Sequence, residues 1–136
     1  YGLQLAHTAA HMVRAVMEGV AYSLRHLLDI YGELNVPIQE IALAGGGATT
    51  EGWPQIIADV CQRDVLIYAE EETVTRVLFA LCQESLGRAE FRDALLKTFD
   101  APQVIPSRSE RAAVYDEGYE RYRAFSEFAS RRARES

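Results

Sequence analysis

A buried strand that runs straight into three consecutive glycines constrains this chain more than any other feature. Ile41-Ala42-Leu43-Ala44 is a continuous apolar run that suits a strand covered on both faces. It feeds into Gly45-Gly46-Gly47-Ala48-Thr49-Thr50. A helix is expected to begin near Gly52, with Thr49 or Thr50 as its cap and Pro54 in the tolerated first turn. Its inner face would be Trp53, Ile56, Ile57 and Val60. Glycines let a backbone turn tightly and let a ligand approach the main chain. A helix start also offers unpaired N–H groups to an anion, typically a phosphate. From these residues alone two readings stand side by side: a loop that contacts phosphate or nucleotide, and an ordinary tight strand-to-helix turn. The run is not a Walker A loop, because no Gly-Lys-Ser/Thr follows. It fits the dinucleotide fingerprint weakly: Gly45-x-Gly47 is present, Thr50 fills the third glycine position, and Glu70 could serve as the ribose acid.

Around this turn the pattern alternates between helix and strand. A long helix is expected from Thr8, as N-cap, to about Tyr31, with Gly32 as its C-terminal signal. Val13, Val16, Met17, Val20, Leu24, Leu27, Leu28 and Tyr31 follow the spacing of one buried helix face. Gly19 inside that helix costs about 1 kcal/mol relative to Ala, which a close helix-to-backbone approach would explain. A second strand is expected over Val65–Tyr68. A helix over Thr73–Ser85 would turn Val74, Val77, Leu78 and Leu81 inward and stop at Gly87. A short helix would span Phe91–Thr98. Pro102 and Pro106 would bracket an extended linker holding Val104 and Ile105. Ser109 would cap a last helix to about Ser130, striped by Tyr115, Tyr119, Tyr122 and Phe125, with a solvated, disordered tail at 131–136. Alternation of this kind predicts an α/β fold whose few strands are covered by helices. Two strands do not make a stable sheet, so either a third is hidden or others lie upstream. The second reading is favoured, and an exposed strand edge would then invite self-association.

Composition narrows the function classes. Fourteen basic and 20 acidic residues leave a formal charge of −6, which disfavours a nucleic-acid partner. No apolar stretch reaches the roughly 18 residues of a membrane span. Cys61 and Cys82 form no CxxC motif and read as two small buried hydrophobes in a reducing, cytoplasmic setting. The chain opens on Tyr1-Gly2-Leu3-Gln4, without initiator Met or signal peptide, and reads as a piece of a longer protein.

Other chemistry-bearing residues have plainer readings. His7 and His11 stand four apart, but no third ligand accompanies them, so they read as an exposed helix start and no metal site is expected. Asp59 and Glu18 sit among apolar neighbours and read as structural hydrogen-bonding groups. Trp53 could stack on an adenine, but its inner-face position favours the core.

With those residues in view, the chain resembles the FGGY family of carbohydrate kinases. Arg14-Ala15-Val16-Met17-Glu18-Gly19-Val20-Ala21-Tyr22 is similar to the family's "RAVLEGVAF" helix. Leu43-Ala44-Gly45-Gly46-Gly47-Ala48 followed by Trp53 and Gln55-Ile56-Ile57-Ala58-Asp59-Val60 resembles its glycine-rich adenosine motif. Arg63-Asp64-Val65 fits the "GRPV" strand entry, and Tyr115 and Tyr122 resemble the spaced tyrosines of the closing helix. Xylulokinase-like members look most similar.

The resemblance implies the incomplete C-terminal, nucleotide-holding lobe of a two-lobe kinase with the actin/hexokinase-like (ribonuclease H-like) ATPase fold. It implies ATP and Mg2+ as cofactors, with the metal held mainly through the nucleotide and the other lobe. Gly45, Gly46, Gly47 and Ala48 would lie against the nucleotide, and Thr50 near its adenine end. The sugar-reading residues and the catalytic aspartate would lie upstream, so no residue here would be catalytic and this chain alone would phosphorylate no sugar. A pentulose such as xylulose is the expected substrate. A dinucleotide-binding oxidoreductase fragment and a noncatalytic, degenerate kinase domain are the alternatives. The last rests on Val77-Leu78-Phe79, which stands where relatives carry a small-residue "GAA" and would push neighbouring backbones apart.

Overall fold

The computed structural model describes residues 2–68, 73–88, 90 and 101–134. Helix α1 (Ala9–Glu33) leads into strand β1 (Glu40–Ala44), the short helix α2 (Gly46–Thr49) and helix α3 (Trp53–Cys61). Strand β2 (Asp64–Tyr68), helix α4 (Thr73–Ser85) and strand β3 (Gln103–Ile105) follow, and a 3₁₀ turn at Ser109–Arg111 opens helix α5 (Ala112–Arg134). The short helix expected over Phe91–Thr98 lies outside the described residues, as do Glu70 and the last two residues.

The sheet has the order β1-β2-β3. β1 and β2 are parallel, with Ile41 opposite Val65 and Leu43 opposite Ile67. β3 is antiparallel to β2, with Leu66 opposite Val104. The extended linker of the sequence reading is therefore the hidden third strand. Its two prolines flank the paired residues, so each ladder N–H is kept.

One face of the sheet carries the core. Ile41, Val65 and Ile67 pack with Ile56, Ile57 and Val60 of α3 and with Ala21 and Tyr22 of α1. The inner face expected for α3 is the one observed. For α1 the single stripe splits. Met17, Leu24 and Leu28 pack against the core, while Val13, Val16, Val20, Leu27 and Tyr31 are exposed. Apolar spacing marked the helix but did not say which side of so apolar a helix has a partner. Its N-cap is Thr8, whose backbone N–H donates to His11 Nδ1 at 3.1 Å. Its C-cap is Leu34 rather than Gly32, and the left-handed residue beyond it is Asn35, at φ 58°.

Three further expectations change. In α4, Val77, Leu78 and Leu81 are exposed, and only Ala80 is buried among its described side chains. Phe79 is exposed as well, so Val77-Leu78-Phe79 presses no described backbone apart. Cys61 is buried and its thiol is pushed up to about 12 by burial, whereas Cys82 is exposed. The last helix continues through Arg134, so Arg131, Arg132 and Arg134 belong to an exposed final turn, and Phe125 is exposed rather than in the stripe.

The close approach predicted at Gly19 occurs elsewhere. A Cβ at Gly19 would meet nothing within 4 Å. A Cβ at Gly118 of α5 would overlap the Tyr22 hydroxyl and stand 2.8 Å from its Cζ. Tyr22 has little room to yield. Its ring lies 6.1 Å from that of Tyr119 and 5.8 Å from that of Tyr122, and the Arg25 guanidinium caps Tyr119 at 4.5 Å. Gly118→Ala should therefore destabilise the fold by about 1–3 kcal/mol, despite alanine's better helix propensity. Chemical denaturation monitored by circular dichroism checks this, and an unchanged midpoint would refute the packing.

Asp59 ties the segment after β3 to α3. It is 1% exposed. Its Oδ1 accepts from Gln55 Nε2 at 2.9 Å and from the Arg108 backbone N–H at 3.0 Å. Its Oδ2 accepts from Arg108 Nε at 3.0 Å and Nη2 at 2.5 Å. Burial pushes the carboxyl pKa up, but the hydrogen bonds from Arg108 and Gln55 outweigh it and hold the group below its ordinary value. The expected structural role of Asp59 is thus the one observed. Glu18 instead pairs with Arg14 at 2.7 Å on a partly open surface.

Candidate functional site

The glycine turn sits at the carboxyl end of β1. Gly45 has φ 69° and ψ −156°, a backbone region essentially closed to residues with a side chain. That reverses the chain as it leaves the sheet, and α2 begins at once. The Ala48 N–H donates to the Gly45 carbonyl at 3.0 Å. Thr49 and Thr50 both donate their hydroxyls to the Gly46 carbonyl, at 3.2 and 2.9 Å. Contrary to the sequence expectation, neither threonine caps α3. The cap position belongs to Gly52, at φ 74°, and no side chain caps that helix. The reason is the extra turn of α2, which the sequence reading did not resolve: it consumes both hydroxyls before α3 starts.

The glycines differ in what requires them. Gly45 is demanded by its φ. Gly46 lies in the right-handed helical turn, and a Cβ there would meet nothing within 4 Å. A Cβ at Gly47 would stand 3.6 Å from Trp53 Nε1, an ordinary contact distance. Neither the backbone nor the packing of the described chain explains glycine at 46 and 47. Gly46 leaves its main chain exposed, and Gly47 is half-buried beside the indole. Ala48 points the other way: it is buried in the core and anchors the turn from beneath. Thr50 is exposed, beside the glycines.

Of the expected site residues, Gly46 and Thr50 are exposed, Gly45 and Gly47 are half-buried, and the Ala48 side chain turns inward. Trp53, the first residue of α3, closes one side of the turn with the Nε1–Cδ1 edge of its indole. It is half-buried and packs against the core, as expected. Its Nε1–H has no acceptor among the described residues and is not sealed from solvent. Helical spacing placed Trp53 inward but carried no information on which edge of the ring faces the glycines.

Other candidates resolve as structural. His11 Nδ1 is engaged at the α1 cap, and no group of three His, Cys, Asp or Glu side chains able to hold a metal gathers among the described residues. His26 Nδ1 lies 3.4 Å from the Tyr119 hydroxyl, which donates to Asp29. Burial first, and that bond to Asp29 second, push the Tyr119 pKa up. No helix among the described residues is long and apolar enough to cross a membrane.

Comparison with known proteins gives the family of the chain. Residues 1–76 match the family model described as the FGGY family of carbohydrate kinases, C-terminal domain. A xylulose kinase of Haemophilus influenzae is 32% identical over 121 residues, which is 85% of this chain and 24% of that protein. A gluconokinase of Bacillus subtilis is 34% identical over 96 residues, 70% of this chain and 19% of the relative. Among solved structures, a xylulose kinase from Rhodospirillum rubrum superposes with a TM-score of 0.71 at 27% identity, covering 92% of this chain and 26% of its own. A ligand-bound xylulose kinase from Lactobacillus acidophilus shares the fold with a TM-score of 0.73 at 22% identity, over 95% of this chain and 26% of its own. The chain thus spans about a quarter of the length of these relatives. The fold is the expected α/β arrangement with actin/hexokinase-like neighbours, and the match runs through the glycine turn and both core strands. This chain belongs to the FGGY family of carbohydrate kinases, and what it matches there is the C-terminal domain.

Proposed function

We propose that this chain is the nucleotide-holding portion of an ATP-dependent carbohydrate kinase, and that ATP lies along the outer side of the turn Gly45-Gly46-Gly47, with Thr50 toward its adenine end. The observation that carries the reading is Gly46. Glycine there lowers the stability of a helical turn, and no described neighbour within 4 Å repays it. A ligand lying against main chain does. The residues fit the group: a Cβ at Gly46 would stand in open space, so main chain there is free to meet a ligand, and Ala48 fixes the turn to the core from behind. Bound ATP supplies the phosphoryl group that the kinase passes to a sugar hydroxyl. The chain's own part is to hold and orient that nucleotide. Mg2+ would be held mainly through the nucleotide's phosphates and by the rest of the kinase. The catalytic base and the sugar-reading residues are placed outside these 136 residues, so this chain alone is expected to be inactive. The xylulose kinases among its relatives support a pentulose substrate. Two free cysteines suit a cytoplasmic setting.

The dinucleotide oxidoreductase reading loses its support with the family match. For the degenerate-kinase reading, Val77-Leu78-Phe79 is exposed and crowds nothing among the described residues. Calorimetric titration of ADP and of NAD tests the proposal: ADP binding at millimolar affinity or better, with no heat from NAD, is expected. Binding of NAD without ADP would overturn it. Among the described strands, β1 also leaves its outer edge unpaired. A concentration-dependent rise in sedimentation coefficient is expected for the isolated chain, and a strictly monomeric species at high concentration would count against self-association.

A further inference from the structure

We propose that the Trp53 indole N–H is a ligand contact of the glycine turn, donating to an acceptor oxygen of the bound nucleotide, and that Gly47 is glycine to keep that donor uncovered. The inference rests on the nucleotide reading above and adds a specific side-chain donor to it.

Three observations converge. The indole presents its Nε1–Cδ1 edge to the turn, with Nε1 3.6 Å and Cδ1 3.8 Å from where a Gly47 Cβ would stand. A buried or half-buried Trp N–H usually finds a partner, yet this one has none among the described residues and keeps access to solvent. The half-buried ring packs against the hydrophobic core, so the donor is held in place before any ligand arrives. A pre-positioned donor loses little side-chain freedom on binding. Gly47 then has a physical reason that the fold alone does not supply. The turn tolerates a Cβ at ordinary contact distance, but a longer or branched side chain would lie across the indole edge and block it. Charged phosphate oxygens are the strongest acceptors such a donor can meet, and ribose hydroxyls the next.

Trp53 is the sole tryptophan of the 136 residues, so the chain gives one indole N–H signal. The test follows the indole and backbone amide cross-peaks of the ¹⁵N-labelled chain during titration with ADP, adenosine and inorganic tripolyphosphate. A shift of the indole peak with ADP is expected. Its recurrence with tripolyphosphate assigns the acceptor to the phosphate chain, and its recurrence with adenosine assigns it to the nucleoside. Trp53→Phe keeps the apolar body and removes the donor, and should weaken ADP binding about tenfold. Gly47→Val should weaken it at least as much while leaving Trp53 in place. Movement of the Gly46 and Gly47 amides with a stationary indole peak, or unaltered ADP affinity in a folded Trp53→Phe chain, would overturn the inference and leave the nucleotide site standing. If no peak near the turn moves with any of the three ligands, the site itself is refuted and the inference with it.

Discussion

Gly46→Ala is expected to raise stability and lower nucleotide affinity at the same time. The new methyl meets no atom of the described chain within 4 Å, and the position lies in a right-handed helical turn. Reducing the freedom of the unfolded chain should then add about 0.5–1 kcal/mol. The same methyl stands where the nucleotide would lie on main chain. Crowding a close contact by one carbon costs about 1–3 kcal/mol, so ADP affinity should fall between about fivefold and more than a hundredfold. Thermal unfolding without ligand and calorimetry with ADP read the two effects separately. Opposite signs support a turn shaped for a ligand. A stabilised variant that binds ADP as before would remove the basis for placing the nucleotide there. Gly45→Ala provides the contrast: its φ of 69° makes any side chain strained, so that variant should lose stability whatever the ligand does.

Asp59→Ala is the largest stability change expected. It removes the acceptor for Gln55 and for the backbone and side chain of Arg108, in a position 1% exposed. Removing this buried acceptor, and loosening the segment that leads from β3 to α5, should cost about 2–4 kcal/mol. Denaturant unfolding measures it, and a loss below about 0.5 kcal/mol would refute the tie. The charge state gives an independent signature. The folded carboxyl titrates below its ordinary 3.8, so the folded state binds this proton less readily than the unfolded state does. Its contribution is fully present above the unfolded value, begins to fade as pH falls through about 4, and is gone below the folded value. Asp59→Asn should flatten that part of the stability profile. A profile that kept the same acid slope would assign the slope to other carboxylates.

The fold was legible where the requirement is local. Apolar runs and three-four spacing marked α1, α3, β1 and β2 within a residue or two, because a strand and a helix with a buried side each impose a short-range pattern. The expected burial of β1 on both faces failed, since Ala42 is exposed and only the Ile41 face meets the core. The core role of Asp59 followed from its place among Ile56, Ile57 and Val60 on the face of α3. What failed was set by distant partners. β3 is three residues long, and nothing near Val104 and Ile105 announces that β2, some forty residues earlier, offers an edge to pair with. The partner of Asp59 lies 49 residues away. Gly19 and Gly118 look alike as helical glycines, and only the packing of Tyr22 shows that the second is the tight one.

At the glycine turn the division is the same. Sequence alone determined that a tight, glycine-rich reversal joins an apolar strand to a helix, since φ/ψ sterics act within a residue. Tertiary structure decided what lies around that reversal: that the first glycine serves the backbone, that Gly46 leaves it bare, that both threonines are spent on one carbonyl, and that the indole edge borders the opening. Those are through-space relations among residues brought together by packing the sheet against α1 and α3, and no pattern along the chain encodes a distance across it.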